Sequence, residues 1–233
     1  MNSILKGSVT TVLTLASSGQ AIIAQVGDCS VDAMLVFDGS ASMAEITFET
    51  GLNTRIVEAR KAVRYAMTNI TNFRRVGLLT YSAGPLGACE NLITKFPPIE
   101  DAADPIVNSI DTLEPSGLTP LTQAVRRAAE ALKYQIRPGV VVLVTDCNET
   151  FGGRHCEMAQ SLIAMAHDLT IHIIGFHAEL DFFTWNSPEQ NSDTAITVAR
   201  CLSNETGGTF VTTESINELV SARQRTLGCP LFG

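Results

Sequence analysis

The chain has 233 residues, a hydrophobic content of 45%, a charged content of 17% and a formal net charge of −8 at pH 7. This length is enough for one α/β domain with its own core, and the composition excludes an intrinsically disordered chain. The acidic balance argues against a nucleic-acid partner, because no basic stripe offsets it.

The first 24 residues resemble a secretory signal peptide. Lys6 supplies a positive charge, Val9–Ala16 is mildly apolar, and the small residues Ala21 and Ala24 each offer a cleavage position. Residues 1–24 are therefore predicted to be a signal peptide, and a mobile N-terminal tail is the alternative. No later stretch is apolar over the length needed to cross a bilayer, so we expect no membrane span in the mature chain.

Strand and helix signals alternate from about residue 32 onward. The apolar run Ala33–Phe37 is typical of a buried strand, and the β-branched run Val140–Asp146 indicates a central parallel strand covered on both faces. Leu92–Phe96 follows a turn at Gly84–Gly87 and is predicted to return along the sheet edge. The pattern predicts an α/β fold with a doubly wound, mostly parallel sheet and one antiparallel edge strand. The other predicted elements are strands at 76–81, 170–176 and 208–212 and helices at 54–70, 104–113, 121–132, 158–168, 194–204 and 216–226.

Side chains with oxygen donors follow the first strand, at its carboxyl end. Asp38, Ser40 and Ser42 occupy alternate positions and offer a carboxylate and two hydroxyls. Asp146 ends the central strand in the same way, and Thr119 offers a further hydroxyl from a loop that precedes a helix. Ligands of open α/β sheets bind at this end of the strands, and Mg²⁺ prefers oxygen ligands. Each residue alone is ordinary turn chemistry, but the five together predict a metal site.

Three segments carry a family resemblance: Val36–Met43, Gly117–Leu121 and Val142–Asp146. Together they resemble the metal-ion-dependent adhesion site (MIDAS) of von Willebrand factor type A (VWA) domains. The resemblance covers about residues 30–228, and a VWA domain is expected over residues 30–229. It implies a Rossmann-like VWA fold.

The resemblance also implies a ligand set. In the family, hydroxyls that match Ser40, Ser42 and Thr119 are cation ligands, and carboxylates that match Asp38 and Asp146 act directly or through water. The implied cation is Mg²⁺, with Mn²⁺ or Ca²⁺ as alternatives. Because only two carboxylates oppose the divalent charge, the ion stays electrophilic and keeps water-filled positions. A protein partner that presents a carboxylate would complete the shell.

The chain looks closest to the exported bacterial branch of this family, in which a Thr-Asp-Gly-Glu-Glu-Thr-Cys segment is common. Here the segment at 145–151 has Cys147 in place of the glycine and Phe151 in place of the cysteine, and Asp146 is retained. The expected function is therefore an exported, non-enzymatic binding module that is periplasmic or secreted. The identity of the partner and the oligomeric state stay open.

Two rival functions fit part of the pattern. One is a Mg²⁺-dependent phosphatase or phosphotransferase of the haloacid dehalogenase type, with Asp38 as the nucleophile. That family would need a second aspartate where Ser40 stands and a downstream lysine that we cannot place. The other rival is a structural VWA domain with an unoccupied site. No catalytic residue is assigned.

Two further features lie close to the predicted site in sequence. Glu149 could reach the cation, although a solvated loop residue is the alternative. The segment Glu179–Asp193 contains Phe182, Phe183 and Trp185, and either a recognition rim or a loop folded onto its own core fits these aromatic residues.

The chain has six cysteines, an even number that suits an oxidising compartment. Six cysteines permit 15 connectivities, so the pairing is a weak prediction. The pairing that we favour is Cys29 with Cys229, Cys147 with Cys156 and, by elimination, Cys89 with Cys201. A zinc site is the alternative, but the chain has no Cys-x-x-Cys spacing.

Overall fold

The computed structural model describes residues 31–46, 53–82, 91–146, 155–176 and 192–213, together with Glu218 and Ser221. Its sheet has six strands in the order β3-β2-β1-β4-β5-β6. All neighbouring pairs are parallel except β2 and β3, so the predicted α/β fold with one antiparallel edge strand is confirmed. The elements are β1 Ala33–Gly39, α1 Arg55–Ile70, β2 Val76–Ser82, β3 Leu92–Ile99, α2 Ala103–Asp111, α3 Leu121–Leu132, β4 Pro138–Thr145, α4 His155–Met165, β5 Asp168–Phe176, α5 Ser192–Glu205 and β6 Phe210–Thr213.

The sheet is covered on both faces, as the apolar character of its central strands requires. Every residue of β1 is buried. Its side chains alternate between two cores: Leu35 and Phe37 pack with α1 and α2, whereas Met34 and Val36 pack with α3, α4 and α5. Successive strand residues point to opposite faces, so Asp38, which follows Phe37, shares the face of Met34 and Val36.

The edge strand β3 runs further than predicted. It extends past Phe96 through Pro97 and Pro98 to Ile99, where it pairs with Val76 of β2. Proline has no amide hydrogen to donate to a neighbouring strand, so it is tolerated at the edge of a sheet.

Two element boundaries differ from the prediction for a tertiary reason. The helix predicted at 158–168 is α4, which spans His155–Met165, and Asp168 already begins β5. The pairing of Asp168 with Pro138 on β4 fixes this start, and no local propensity reports it. The closing helix predicted at 216–226 lies outside the described residues except for Glu218 and Ser221, which are helical.

The structure corrects the predicted disulfides. Cys156 of α4 bonds to Cys201 of α5, with a Cα–Cα distance of 5.4 Å. The predicted pairs Cys147–Cys156 and Cys89–Cys201 are therefore wrong. Helices α4 and α5 cover the same face of the sheet, and this places two cysteines distant in sequence side by side. The predicted pair Cys29–Cys229 lies outside the described residues.

We predict that the Cys156–Cys201 bond stabilises the domain by restricting its unfolded state. The two residues are 45 apart, and closure of a loop of that size contributes up to about 4 kcal/mol. Urea unfolding of Cys156→Ala/Cys201→Ala, compared with the oxidised wild type, measures the difference. A loss below about 1 kcal/mol would contradict this account.

The imidazole of His172 on β5 is held in its neutral form. Its Nδ1 atom accepts a hydrogen bond from the Thr209 backbone N–H at 3.2 Å, and it lies 3.0 Å from the Thr209 hydroxyl. Burial, and then the charge of Arg74, lower the pKa of His172 from 6.5 to about 4. A proton on Nδ1 would also break the bond from the backbone.

We predict that His172 makes folding weaker in mild acid. Because the pKa of His172 is lowered in the folded state, its contribution to the free energy of unfolding is complete above pH 6.5. This contribution is lost as the pH falls toward about 4. The stability of wild type relative to His172→Asn, measured by urea unfolding, should fall by about 1–2 kcal/mol over this range. His167→Asn removes an exposed imidazole and is the control; equal effects of the two substitutions would contradict the prediction.

Candidate functional site

The ends of β1 and β4 lie side by side at one edge of the sheet. The two strands are parallel neighbours, with Phe37 opposite Val144, so the next residues of each strand also come together. The Thr145 hydroxyl donates to Asp38 Oδ2 at 2.6 Å on the face that carries α3. Asp146, one residue further, meets α1 on the opposite face through Arg55. The structure therefore brings Asp38 and Asp146 to the same strand ends from two faces.

Asp38 is fully buried, and both of its carboxylate oxygens are held. Oδ1 accepts the Ser40 backbone N–H at 2.8 Å, and Oδ2 accepts the Thr145 hydroxyl. Burial is the main cause that raises the pKa of Asp38 from 3.8 to about 6, and the charge of Asp146 adds to it. Hydrogen bonds from Ser40 and Thr145 oppose this shift without cancelling it. The ionised carboxylate is therefore short of positive charge.

The two predicted serines lie next to each other. Their Oγ atoms are 3.1 Å apart; Ser40 is buried, and Ser42 is partly exposed in a 3₁₀ turn at Ala41–Ala44. The sequence analysis did not predict this turn. The turn brings the two hydroxyls together, and the backbone N–H of Ser40 is hydrogen-bonded to the Asp38 carboxylate.

The loop that carries Thr119 is bonded to the Asp38–Ser42 segment. The Ala41 N–H donates to the Gly117 carbonyl at 3.2 Å, and the Ser116 N–H donates to the Gly39 carbonyl at 2.9 Å. Gly117 has a φ of 79°, a left-handed conformation that favours glycine. Thr119, two residues later, is 2% exposed. The loop thus places a buried hydroxyl beside the strand ends.

Three residues of the site were missed by the sequence analysis. Thr145 and Tyr81 share the face of Asp38, and Tyr81 is opposite Asp38 in the β1–β2 register, so strand alternation alone could have found them. The Tyr81 side chain is buried, and its pKa is raised by burial and then by the Asp38 charge. Arg55 contacts Asp146, and no local sequence signal indicated this ion pair.

The donor set suits a hard cation. Two carboxylates and three neutral hydroxyls are oxygen donors of the kind that Mg²⁺ prefers. Within the described ranges, no group of three or more His, Cys, Asp or Glu side chains is arranged to hold a metal. The charge deficit at Asp38 fits a cation with its water shell. The ligand roles of Asp38, Ser40, Ser42, Thr119 and Asp146 stay a prediction.

Two predicted features lie wholly or mostly outside the described residues. Glu149 is not described, and of the segment Glu179–Asp193 only Ser192 and Asp193 are described, as the first residues of α5. Among the helices that the structure describes, none combines the length and apolarity of a membrane span.

Fold and site together define a doubly wound α/β domain with a cluster of oxygen-bearing side chains at the ends of β1 and β4. A family model for the von Willebrand factor type A domain matches residues 33–150, which is about half of the chain. The chain belongs to the von Willebrand factor type A family, and the resemblance seen in the sequence is confirmed.

Several known proteins are similar to this chain. The uncharacterized protein YwmD of Bacillus subtilis (strain 168) is 25% identical over 190 residues, which cover 77% of this chain and 83% of YwmD.

Three solved structures share the fold, each over 85% of this chain. An aerotolerance-related membrane protein of Bacteroides fragilis is covered over 98% of its chain, with 16% identity and a TM-score of 0.59. The pilus adhesin SpaC of Lactobacillus rhamnosus GG is covered over 30%, with 16% identity and a TM-score of 0.63. Proximal thread matrix protein 1 of the mussel byssus, with a zinc-occupied MIDAS motif, is covered over 47%, with 18% identity and a TM-score of 0.55.

We predict that Asp38→Asn stabilises the protein in chelator at neutral pH. The raised pKa of Asp38 means that its ionised form opposes folding above about pH 6, and the amide removes that charge while keeping the size of the side chain. Urea unfolding with chelator present should show a gain of about 1–3 kcal/mol. Glu130→Gln removes an exposed charge on α3 and is the matched control. A destabilised Asp38→Asn protein would contradict the charge deficit.

Proposed function

We propose that this protein is a non-enzymatic binding module that captures a protein partner through a divalent cation. The proposed ligands are Asp38, Ser40, Ser42, Thr119 and Asp146, and the proposed cation is Mg²⁺, with Mn²⁺ or Ca²⁺ as alternatives.

The observation that carries the proposal is the charge deficit at Asp38. Its buried carboxylate lies close enough to Asp146 for the second charge to raise its pKa, and both of its hydrogen-bond donors are neutral. A buried carboxylate pair without full compensation is unfavourable for folding alone and favourable for binding a cation. The hydroxyl oxygens of Ser40 and Ser42 lie 3.1 Å apart, and Ser40 is hydrogen-bonded to the Asp38 carboxylate through its backbone N–H.

The donor chemistry also suggests what the site recognises. A divalent cation held there would supply an electrophilic position for an incoming carboxylate. On the protein side, only two carboxylates oppose the divalent charge and the hydroxyl ligands are neutral, so the ion would stay electrophilic; the exposed part of Ser42 gives access from solvent. A mussel protein of the same fold has a zinc-occupied MIDAS motif, and other proteins of the fold are a pilus adhesin and a minor pilin. Their similarity to this chain supports a role in protein binding.

We further propose that the domain spans residues 30–229, follows a signal peptide at 1–24, and works in the periplasm or outside the cell. The Cys156–Cys201 disulfide supports an oxidising compartment. The fold neighbours that are a pilus adhesin and an aerotolerance-related membrane protein agree with a location at the cell envelope.

We predict that divalent cations raise the melting temperature of the wild type. A cation at about a hundredfold excess over its Kd adds about 2.7 kcal/mol, which is roughly 5–10 °C for a domain of this size. The measurement is a thermal melt in MgCl₂, MnCl₂ or CaCl₂ against NaCl of equal ionic strength. Asp38→Asn and Thr119→Val should abolish the shift, and Glu130→Gln should keep it.

The outcomes separate the rival functions. No shift in the wild type would favour a structural domain, and turnover of a generic phosphate ester that Asp38→Asn abolishes would favour the phosphatase alternative. Capture of the partner should require the cation, so an envelope-fraction pull-down that is unchanged by chelator or by Thr119→Val would contradict the proposal.

A further inference from the structure

Arg55 is the first residue of α1, and its guanidinium lies against the candidate site. Its Nη1 atom is 3.2 Å from Asp146 Oδ2, 2.9 Å from Glu45 Oε2 and 3.4 Å from the Ser42 carbonyl oxygen. One protein cation therefore contacts a proposed metal ligand and the backbone of a second one.

Arg55 is built into this position by backbone as well as by charge. Its N–H donates to the Glu45 carbonyl at 3.0 Å, and a β-bridge joins Ile46 to Thr54 just before it. The side chain of Arg55 is 11% exposed, and that of Asp146 is fully buried. Their ion pair is therefore shielded from solvent, and screening by salt weakens it little.

The two carboxylates of the site differ in their compensation. Asp146 has the guanidinium of Arg55, whereas Asp38 makes no ion pair with any cationic side chain that the structure describes. A divalent cation that used both carboxylates would have Asp38 to itself and would share Asp146 with Arg55. The positive charge of Arg55 would also repel the ion directly.

We propose that Arg55 is a built-in competitor of the divalent cation: it pairs with Asp146, holds the site together when no cation is bound, and limits cation affinity. This inference rests on the proposed function. Arg55 is then a positioning residue whose removal should have two opposite effects. The fold without cation should become less stable, and cation binding should become tighter. Glu45, which is half-exposed, draws the same guanidinium toward solvent and away from Asp146.

The main test compares Arg55→Met with Arg64→Met. Arg64 lies on the same helix and pairs with Asp111 at 2.6 Å, but its side chain is 58% exposed, so its loss makes the same charge change at a distance from the site. Titration calorimetry with MgCl₂ and MnCl₂ should give a Kd about tenfold or more lower for Arg55→Met than for wild type, the size of one compensating charge at a buried site. Arg64→Met should bind as wild type does.

Melting temperature supplies the second readout. In chelator, Arg55→Met should melt below wild type, since the buried ion pair with Asp146 is lost, and saturating cation should produce a larger upward shift than in wild type. Unchanged or weaker cation binding by a folded Arg55→Met protein would overturn the inference and would show that Arg55 orients Asp146 for the metal.

A second variant keeps the test usable if Arg55→Met does not fold. Glu45→Gln releases Arg55 toward Asp146, so cation binding should weaken about threefold relative to wild type, whereas Glu130→Gln, which removes an exposed carboxylate on α3, should bind as wild type does. Unchanged or tighter cation binding by Glu45→Gln would overturn the inference.

Failure of the two proposals is distinguishable. A wild type that binds no cation while Arg55→Met does would overturn the proposed function and support the competition. Absence of binding in both would overturn both.

Discussion

The candidate site depends on the convergence of two acidic side chains at the ends of neighbouring parallel strands. Asp38 and Asp146 are each nearly or fully buried, and the charge of Asp146 raises the pKa of Asp38. A fold retains such a pair only where something else compensates it. Here the compensation within the chain is unequal, since Arg55 contacts Asp146 and neutral donors contact Asp38. This inequality is the basis for proposing that the strand ends bind a cation.

Sheet geometry explains why residues distant in sequence form one site. The register of β1 with β4 sets Phe37 opposite Val144, and strand alternation then sends Thr145 to the face of Asp38. The loop before α3 joins from a third direction through two backbone hydrogen bonds at Ser116 and Gly117. Side chains placed by backbone contacts of this kind need little rearrangement on binding, which reduces its entropic cost.

Much of the fold could be predicted from the sequence, because its strands are continuous apolar runs and its helices have a clear periodicity. The β-branched run that became β4 and the alternation of strands and helices were sufficient for the sheet class. The predicted oxygen donors also lie where strand ends and loops meet. What local patterns do not encode is pairing across the fold, such as Asp168 with Pro138 or Cys156 with Cys201. The ion pair of Arg55 with Asp146 was missed for the same reason, since it joins residues 91 apart.

The edge strand has a consequence for assembly. Pro97 and Pro98 leave two positions of β3 without amide hydrogens, and the opposite edge strand β6 has only four residues. A strand of a neighbouring molecule that paired with β3 would form an interrupted hydrogen-bond ladder, and one that paired with β6 would form a short ladder. Growth of the sheet into a polymer is therefore discouraged at both described edge strands.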